Sequence, residues 1–149
     1  MSSIASLYIV KASDLPAIVN AAGSASAQEV VHQFGEEIGE EYGWSGYVML
    51  NVLESLETLN VQLESPGLHQ ASGAINADHD FTLLITSDAK ALLGRLDPTA
   101  YEAADLLDGL IELELDDEEA RYAMEETLSL LRDSIARLSD DEVLLLQIG

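Results

Sequence analysis

The sequence VLLLQI, from Val143 to Ile148 near the end of the chain, is an apolar run with one glutamine. Strands buried on both faces have such runs, whereas strands with one solvated face alternate apolar and polar residues. The run therefore predicts a strand at the centre of a sheet. Two further strands are predicted from β-branched and aromatic residues, IASLYIV from Ile4 to Val10 and FTLLIT from Phe81 to Thr86. We expect the two terminal strands to be neighbours.

Helical patterns lie between these strands, with apolar residues at helical spacing behind capping residues. A capping box formed by Ser26 and Glu29 predicts the second helix, but glycines and carboxylates weaken its last turns, so that part is open to a loop. The segment from Leu110 to Leu115 fits either a strand or a helix tail. Helices are predicted to start near Ser13, Ala27, Ser45, Ser87, Asp97 and Asp116, the last two running to about Leu107 and Leu138.

This order of elements predicts a single α+β domain over residues 1–149. It has a small sheet, with strands near 4–10, 81–86 and 143–148, covered by several helices. The chain is long enough to bury a core, and its 48% hydrophobic content separates it from acidic disordered proteins.

The layout resembles that of the small uncharacterised bacterial proteins of the YfbM type. The similar segments are IASLYIVKASDLPAIV (4–19), WSGYVMLNVLESL (44–56), FTLLITSDAKALLGRLDPTAYEAADLL (81–107) and DEVLLLQIG (141–149). This chain is shorter than that pattern between its first strand and its Trp-headed helix. The resemblance implies an α+β fold with no established activity, and it transfers no functional residues.

Acidic residues dominate the charge of the chain. Twenty-eight Asp and Glu residues stand against six Lys and Arg, for a formal net charge of −22. Binding to nucleic acid depends on Lys and Arg displacing counterions, so we expect no direct nucleic-acid binding and no attraction to an anionic membrane. The chain has no cysteine, no signal-peptide pattern and no apolar stretch of membrane-spanning length, which predicts a cytoplasmic protein.

The acids are concentrated in one run, and three interpretations of it are open. The first is a solvated surface that caps a helix. The second is a weak cation-binding cluster without a calcium-loop motif, and the third is a docking patch for a basic protein partner. The leading hypothesis is a non-enzymatic interaction module, such as an inhibitor or immunity-type protein, that uses this patch. The predicted patch residues are Glu112, Glu114, Asp116, Asp117, Glu118 and Glu119.

Two alternatives compete with that hypothesis. The first is a small-ligand-binding protein or enzyme with a pocket near Trp44, His69 and His79, since aromatics and imidazoles recur there in loop-like sequence. The second is acidity that serves only as surface adaptation to high salt. Motifs such as GxSxG, GxGxxG and HExxH are absent from the sequence, so no catalytic residue, metal site or cofactor is predicted.

We predict that salt and mild acid stabilise this fold. Folding holds like charges together and costs free energy through self-repulsion, which counterions screen and protonation reduces. The melting temperature should therefore rise between about 20 mM and about 0.5 M sodium chloride. Scanning fluorimetry measures this directly, and a melting temperature independent of ionic strength would contradict the prediction.

Overall fold

The computed structural model describes residues 4–21, 24–40, 42–68, 81–101, 106 and 116–148. The strands are β1 (Ala5–Lys11), β2 (Gly35–Ile38), β3 (Phe81–Thr86) and β4 (Glu142–Ile148). The α-helices of this part of the chain are α1 (Leu15–Ala21), α2 (Ala27–Phe34), α3 (Gly46–Thr58) and α4 (Asp117–Ala136). Short 3₁₀ helices cover Ala12–Asp14, Pro66–Leu68 and Pro98–Ala100, and a ten-residue 3₁₀ helix covers Ser87–Leu96.

The described strands form one antiparallel sheet in the order β2–β1–β4–β3. The last strand, β4, pairs with β1 from Ala5↔Ile148 to Lys11↔Glu142 and with β3 on its other side. Its residues from Val143 to Ile148 are all buried. The predictions of an α+β fold, a central closing strand and neighbouring terminal strands are confirmed.

Helices cover both faces of the sheet. On one face, Leu7, Ile9 and Leu146 pack in the larger core with residues of α3 and α4. On the other face, Tyr8 and Leu145 pack in a smaller core with residues of α1 and α2. Alternation along each strand sends successive side chains to opposite faces, so one set of strands supplies both cores.

The strand β2 was not predicted from the sequence. Four residues, Gly-Glu-Glu-Ile, show no strand pattern of their own, and their pairing with β1, from Leu7↔Ile38 to Val10↔Gly35, defines the strand. A Cβ atom on Gly35 would lie 2.8 Å from the carbonyl oxygen of Val31, so the tight exit from α2 into β2 requires glycine. The last part of the second predicted helix, which was open to a loop, is therefore corrected to a short edge strand.

Two predicted helix features are also corrected. The helix α2 starts at Ala27 as expected, but Ser26 makes no capping bond with its side chain, so the capping box is wrong. The helix expected from Asp97 to about Leu107 is interrupted. Asp97 accepts a hydrogen bond from the Thr99 N–H at 2.9 Å, yet the turn ends at Tyr101, which is extended. The predicted strand or helix tail at 110–115 lies outside the described residues.

The long helix α4 matches its prediction closely. Asp116 caps its first turn, and the helix ends at Ala136, within two residues of the expected end. Its apolar side forms a seam that is fully buried against the sheet and α3, and consists of Met124, Leu128, Leu131, Ile135 and Leu138.

We predict that Gly39→Ala destabilises the fold by about 1–2 kcal/mol, the usual cost of a left-handed conformation in a residue with a side chain. Gly39 follows β2 with a φ of +70°, and a Cβ atom there would lie 2.9 Å from Leu130 Cδ1 on α4. Urea unfolding measures the change. Gly43→Ala is the matched control because a Cβ atom at Gly43 meets nothing within 4 Å. Equal effects of the two substitutions would contradict this account of Gly39.

Candidate functional site

The structure places part of the predicted acidic patch on the first turn of α4. Asp116, Asp117, Glu118 and Glu119 are exposed there, whereas Glu112 and Glu114 lie outside the described residues. The Glu119 N–H donates to Asp116 Oδ1 at 2.8 Å, and this hydrogen bond lowers the pKa of the Asp116 carboxyl. Asp116 therefore caps the helix, as one of the three interpretations expected. A docking role for its neighbours stays a prediction.

Beyond this turn, exposed side chains continue along one face of α4. Glu119, Tyr122, Glu126 and Asp133 are spaced by three, four and seven residues, which places them on the same helical face. We call these four residues the acidic stripe. Its ends are fourteen residues apart, about 21 Å at the rise of an α-helix. Tyr122 is 45% exposed in the middle of the stripe.

A groove of about 440 Å³ lies beside the acidic stripe. Ile38, Tyr42 and Leu130 give it an apolar floor that continues into the larger core. The groove is lined by Ile38, Gly39, Tyr42, Glu126, Ser129, Leu130, Asp133, Ser134 and Arg137. We call this feature the β2–α4 groove because its two walls come from the end of β2 with the following loop and from α4.

Hydrogen bonds fix the loop after β2 against α4. The Tyr42 hydroxyl lies 2.7 Å from Thr127 Oγ1, and the Thr127 hydroxyl donates its own proton to the Ala123 carbonyl at 2.7 Å. The Tyr42 hydroxyl must therefore be the donor to Thr127. The Trp44 Nε1–H donates to the Glu126 carboxylate, which lines the groove. Both aromatic side chains hold the groove wall in place.

The predicted pocket near Trp44, His69 and His79 is only partly described. Trp44 is half-buried at the edge of the β2–α4 groove, through its hydrogen bond to Glu126. His69 and His79 lie outside the described residues. The groove itself was missed in the sequence because Ile38 and Leu130 are far apart along the chain. Its only sequence signal was the helical spacing of Glu119, Glu126 and Asp133.

The lining of the groove suits binding rather than bond-making chemistry. Glu126 and Asp133 offer carboxylates to cations, and the floor offers aliphatic and aromatic surface. Asp133 also lies 3.7 Å from Arg132 Nε, an exposed ion pair of the kind that contributes little free energy and exchanges readily. Within the described ranges, no three His, Asp or Glu side chains converge as metal ligands.

A second polar cluster joins α2 to the sheet on the opposite face. The Gln28 side-chain amide donates to the Tyr8 hydroxyl at 3.2 Å, and the His32 ring meets the Tyr8 ring edge-on at 5.5 Å. Burial and the nearby Glu37 carboxylate raise the pKa of Tyr8. These contacts anchor α2, and His32 is an exposed helical side chain of this cluster.

Comparison with known proteins finds no matching family model, no similar curated protein and no similar solved structure. The resemblance to YfbM-type proteins therefore stays a prediction from the order of elements. Over the residues that the structure describes, no helix combines the length and apolarity needed to cross a membrane.

We predict that Tyr42 makes the fold sensitive to alkali. Burial, with help from the Glu126 carboxylate, raises the pKa of Tyr42 from 10.0 to about 12. The unfolded chain then loses this proton before the native protein does, so the free energy of unfolding should fall as pH rises from 10 to 12. Tyr42→Phe should remove the part of this decrease in the free energy of unfolding that is due to Tyr42. At neutral pH it should cost about 1 kcal/mol through the lost hydrogen bond.

Urea unfolding across the alkaline range measures this effect. Tyr47→Phe is the matched control because it removes an exposed tyrosine hydroxyl from the next helix, and its pH profile should follow that of the wild type. A wild-type profile for Tyr42→Phe would show that the Tyr42 hydroxyl is not protected as described.

Proposed function

We propose that this protein is a non-enzymatic acidic interaction module that binds a basic protein partner, in the manner of an inhibitor or immunity-type protein. One observation carries the proposal. The β2–α4 groove places an apolar floor beside the exposed carboxylates of Glu126 and Asp133, and the acidic stripe extends this surface to the acidic first turn of α4. An apolar centre with a charged rim is the usual composition of a protein interface.

The apolar part of the surface offers anchors. Tyr122 projects from the stripe, and exposed tyrosines are among the residues that contribute most to protein interfaces. The Arg121 guanidinium lies 5.3 Å from the centre of the Tyr122 ring. A partner arginine can make the same cation–π contact with an exposed aromatic ring, so Tyr122 suits a basic partner.

The charge of the chain supports the choice of a basic partner. A net charge of −22 attracts a cationic surface over a distance of about one Debye length and repels acidic ones. Such steering mainly raises the association rate and weakens as salt increases. Glu126 and Asp133 then meet the partner at short range, beside the apolar floor.

We predict that this protein captures a basic protein from a native extract at low salt, and that the groove carboxylates determine its affinity. Glu126→Gln combined with Asp133→Asn should weaken binding to the captured protein at least about tenfold, or roughly 1.4 kcal/mol. Calorimetry with the purified pair at several salt concentrations measures the affinity, and wild-type affinity should fall steeply as salt rises.

Glu54→Gln combined with Glu57→Gln is the matched control. It makes the same charge change at exposed positions of α3 that do not line the groove, so it should weaken binding much less. Recovery of no basic protein at low salt would contradict the proposal. Equal losses in the two double variants would mean that diffuse charge, and not the groove, attracts the partner.

A further inference from the structure

We infer that the basic segment bound in the β2–α4 groove is an extended chain that pairs with the outer edge of β2 as an additional strand. This inference rests on the proposed function and specifies the form of the partner. Three properties of the site support it: the position of β2 in the sheet, the length of the groove, and the charge on the strand.

The position of β2 leaves one side of its backbone open among the described residues. It is the outermost strand of the order β2–β1–β4–β3, and β1 pairs with its inner side. Alternate residues of an edge strand point their N–H and C=O groups away from the sheet, where another strand can pair with them. The opposite edge differs, because the Ser65 N–H donates to the Leu84 carbonyl of β3 at 3.0 Å.

The length of the groove fits a short extended segment. Glu126 on α4 and Arg137, which directly follows that helix, both line it and are eleven residues apart, or about 16 Å along the axis. An extended chain covers that distance in about five residues. Ile38 lines the groove, so an added strand beside β2 would direct every second side chain toward the apolar floor.

Charge selects a basic strand over a second copy of this chain. Glu36 and Glu37 are exposed on β2, and Glu40 is exposed just after it. Two copies joined through β2 would bring these carboxylates together, in chains that each carry −22. Lys or Arg residues on an added strand would instead face opposite charges, which favours pairing. The carboxylates that keep this edge from self-association therefore suit it to a basic segment.

The test uses the full-length protein and a synthetic heptapeptide of alternating Lys and Val with blocked ends. Its matched control carries N-methyl groups on alternate backbone amides, which keeps the charge and removes the hydrogen-bond donors on one edge. Two such controls are made, one for each edge of the peptide. We expect the parent peptide to bind at least tenfold more tightly than the control whose methyl groups face β2. Nuclear Overhauser contacts should connect the parent peptide to backbone amides of β2.

Charge reversal on β2 gives a second readout. With the valines directed toward the floor beside Ile38, the lysines lie on the face of β2 that carries Glu37. Glu37→Lys should therefore weaken binding of the parent peptide at least fivefold, whereas Glu29→Lys, the same reversal at an exposed position of α2, should weaken it less than twofold. Circular dichroism of each variant confirms that it is folded. Equal weakening by the two reversals would overturn the inference, because the peptide would then be responding only to total charge.

The outcomes separate this inference from the proposed function. Suppose that N-methylation of either edge leaves the affinity of the peptide unchanged, while Glu126→Gln with Asp133→Asn lowers it. The groove then binds basic segments without strand pairing, and only the inference fails. If a captured basic protein binds the groove but the parent peptide does not, the extended form is overturned. If neither binds, both proposals fail. Concentration-dependent dimers that require β2 would overturn the exclusion of a second copy.

Discussion

The insertion of β4 between β1 and β3 is the contact on which the remaining structure depends. This strand joins the first segment of the chain to a middle segment, and its side chains contribute to the cores on both faces of the sheet. It also follows α4 directly, after the short connection from Arg137 to Asp141. Residues of α4 then pack with Leu144 and Leu146 of β4 on one face of the sheet.

The two sides of α4 explain how so acidic a chain combines folding with a localised surface. One side buries the apolar seam, and the other presents the acidic stripe to solvent. The β2–α4 groove forms where the loop after β2 meets this outer side, with Gly39 close to Leu130 and with Tyr42 and Trp44 bonded to α4. Folding requires the seam, while binding is proposed for the stripe.

Local patterns in the sequence predicted the elements whose signal lies within a single segment. The apolar run of β4 indicated a central strand, and apolar residues at helical spacing behind Asp116 indicated the helix α4. The short strand β2 and the interruption at Tyr101 were missed because they depend on distant contacts or on backbone geometry that residue types do not reveal. The acid run was visible as a block, but only Glu119 of the predicted patch belongs to the acidic stripe, whose other members are brought to one face by the helix.

The central claim is that the acidity of this protein acts through one located surface. The most direct measurement is a map of backbone amide chemical-shift changes when the ¹⁵N-labelled protein binds a basic partner captured from extract. The account predicts changes concentrated in β2, the loop through Trp44 and the outer side of α4 from Glu119 to Arg137. Changes spread evenly over exposed acids, with α3 residues Glu54 and Glu57 as affected as Glu126, would contradict it.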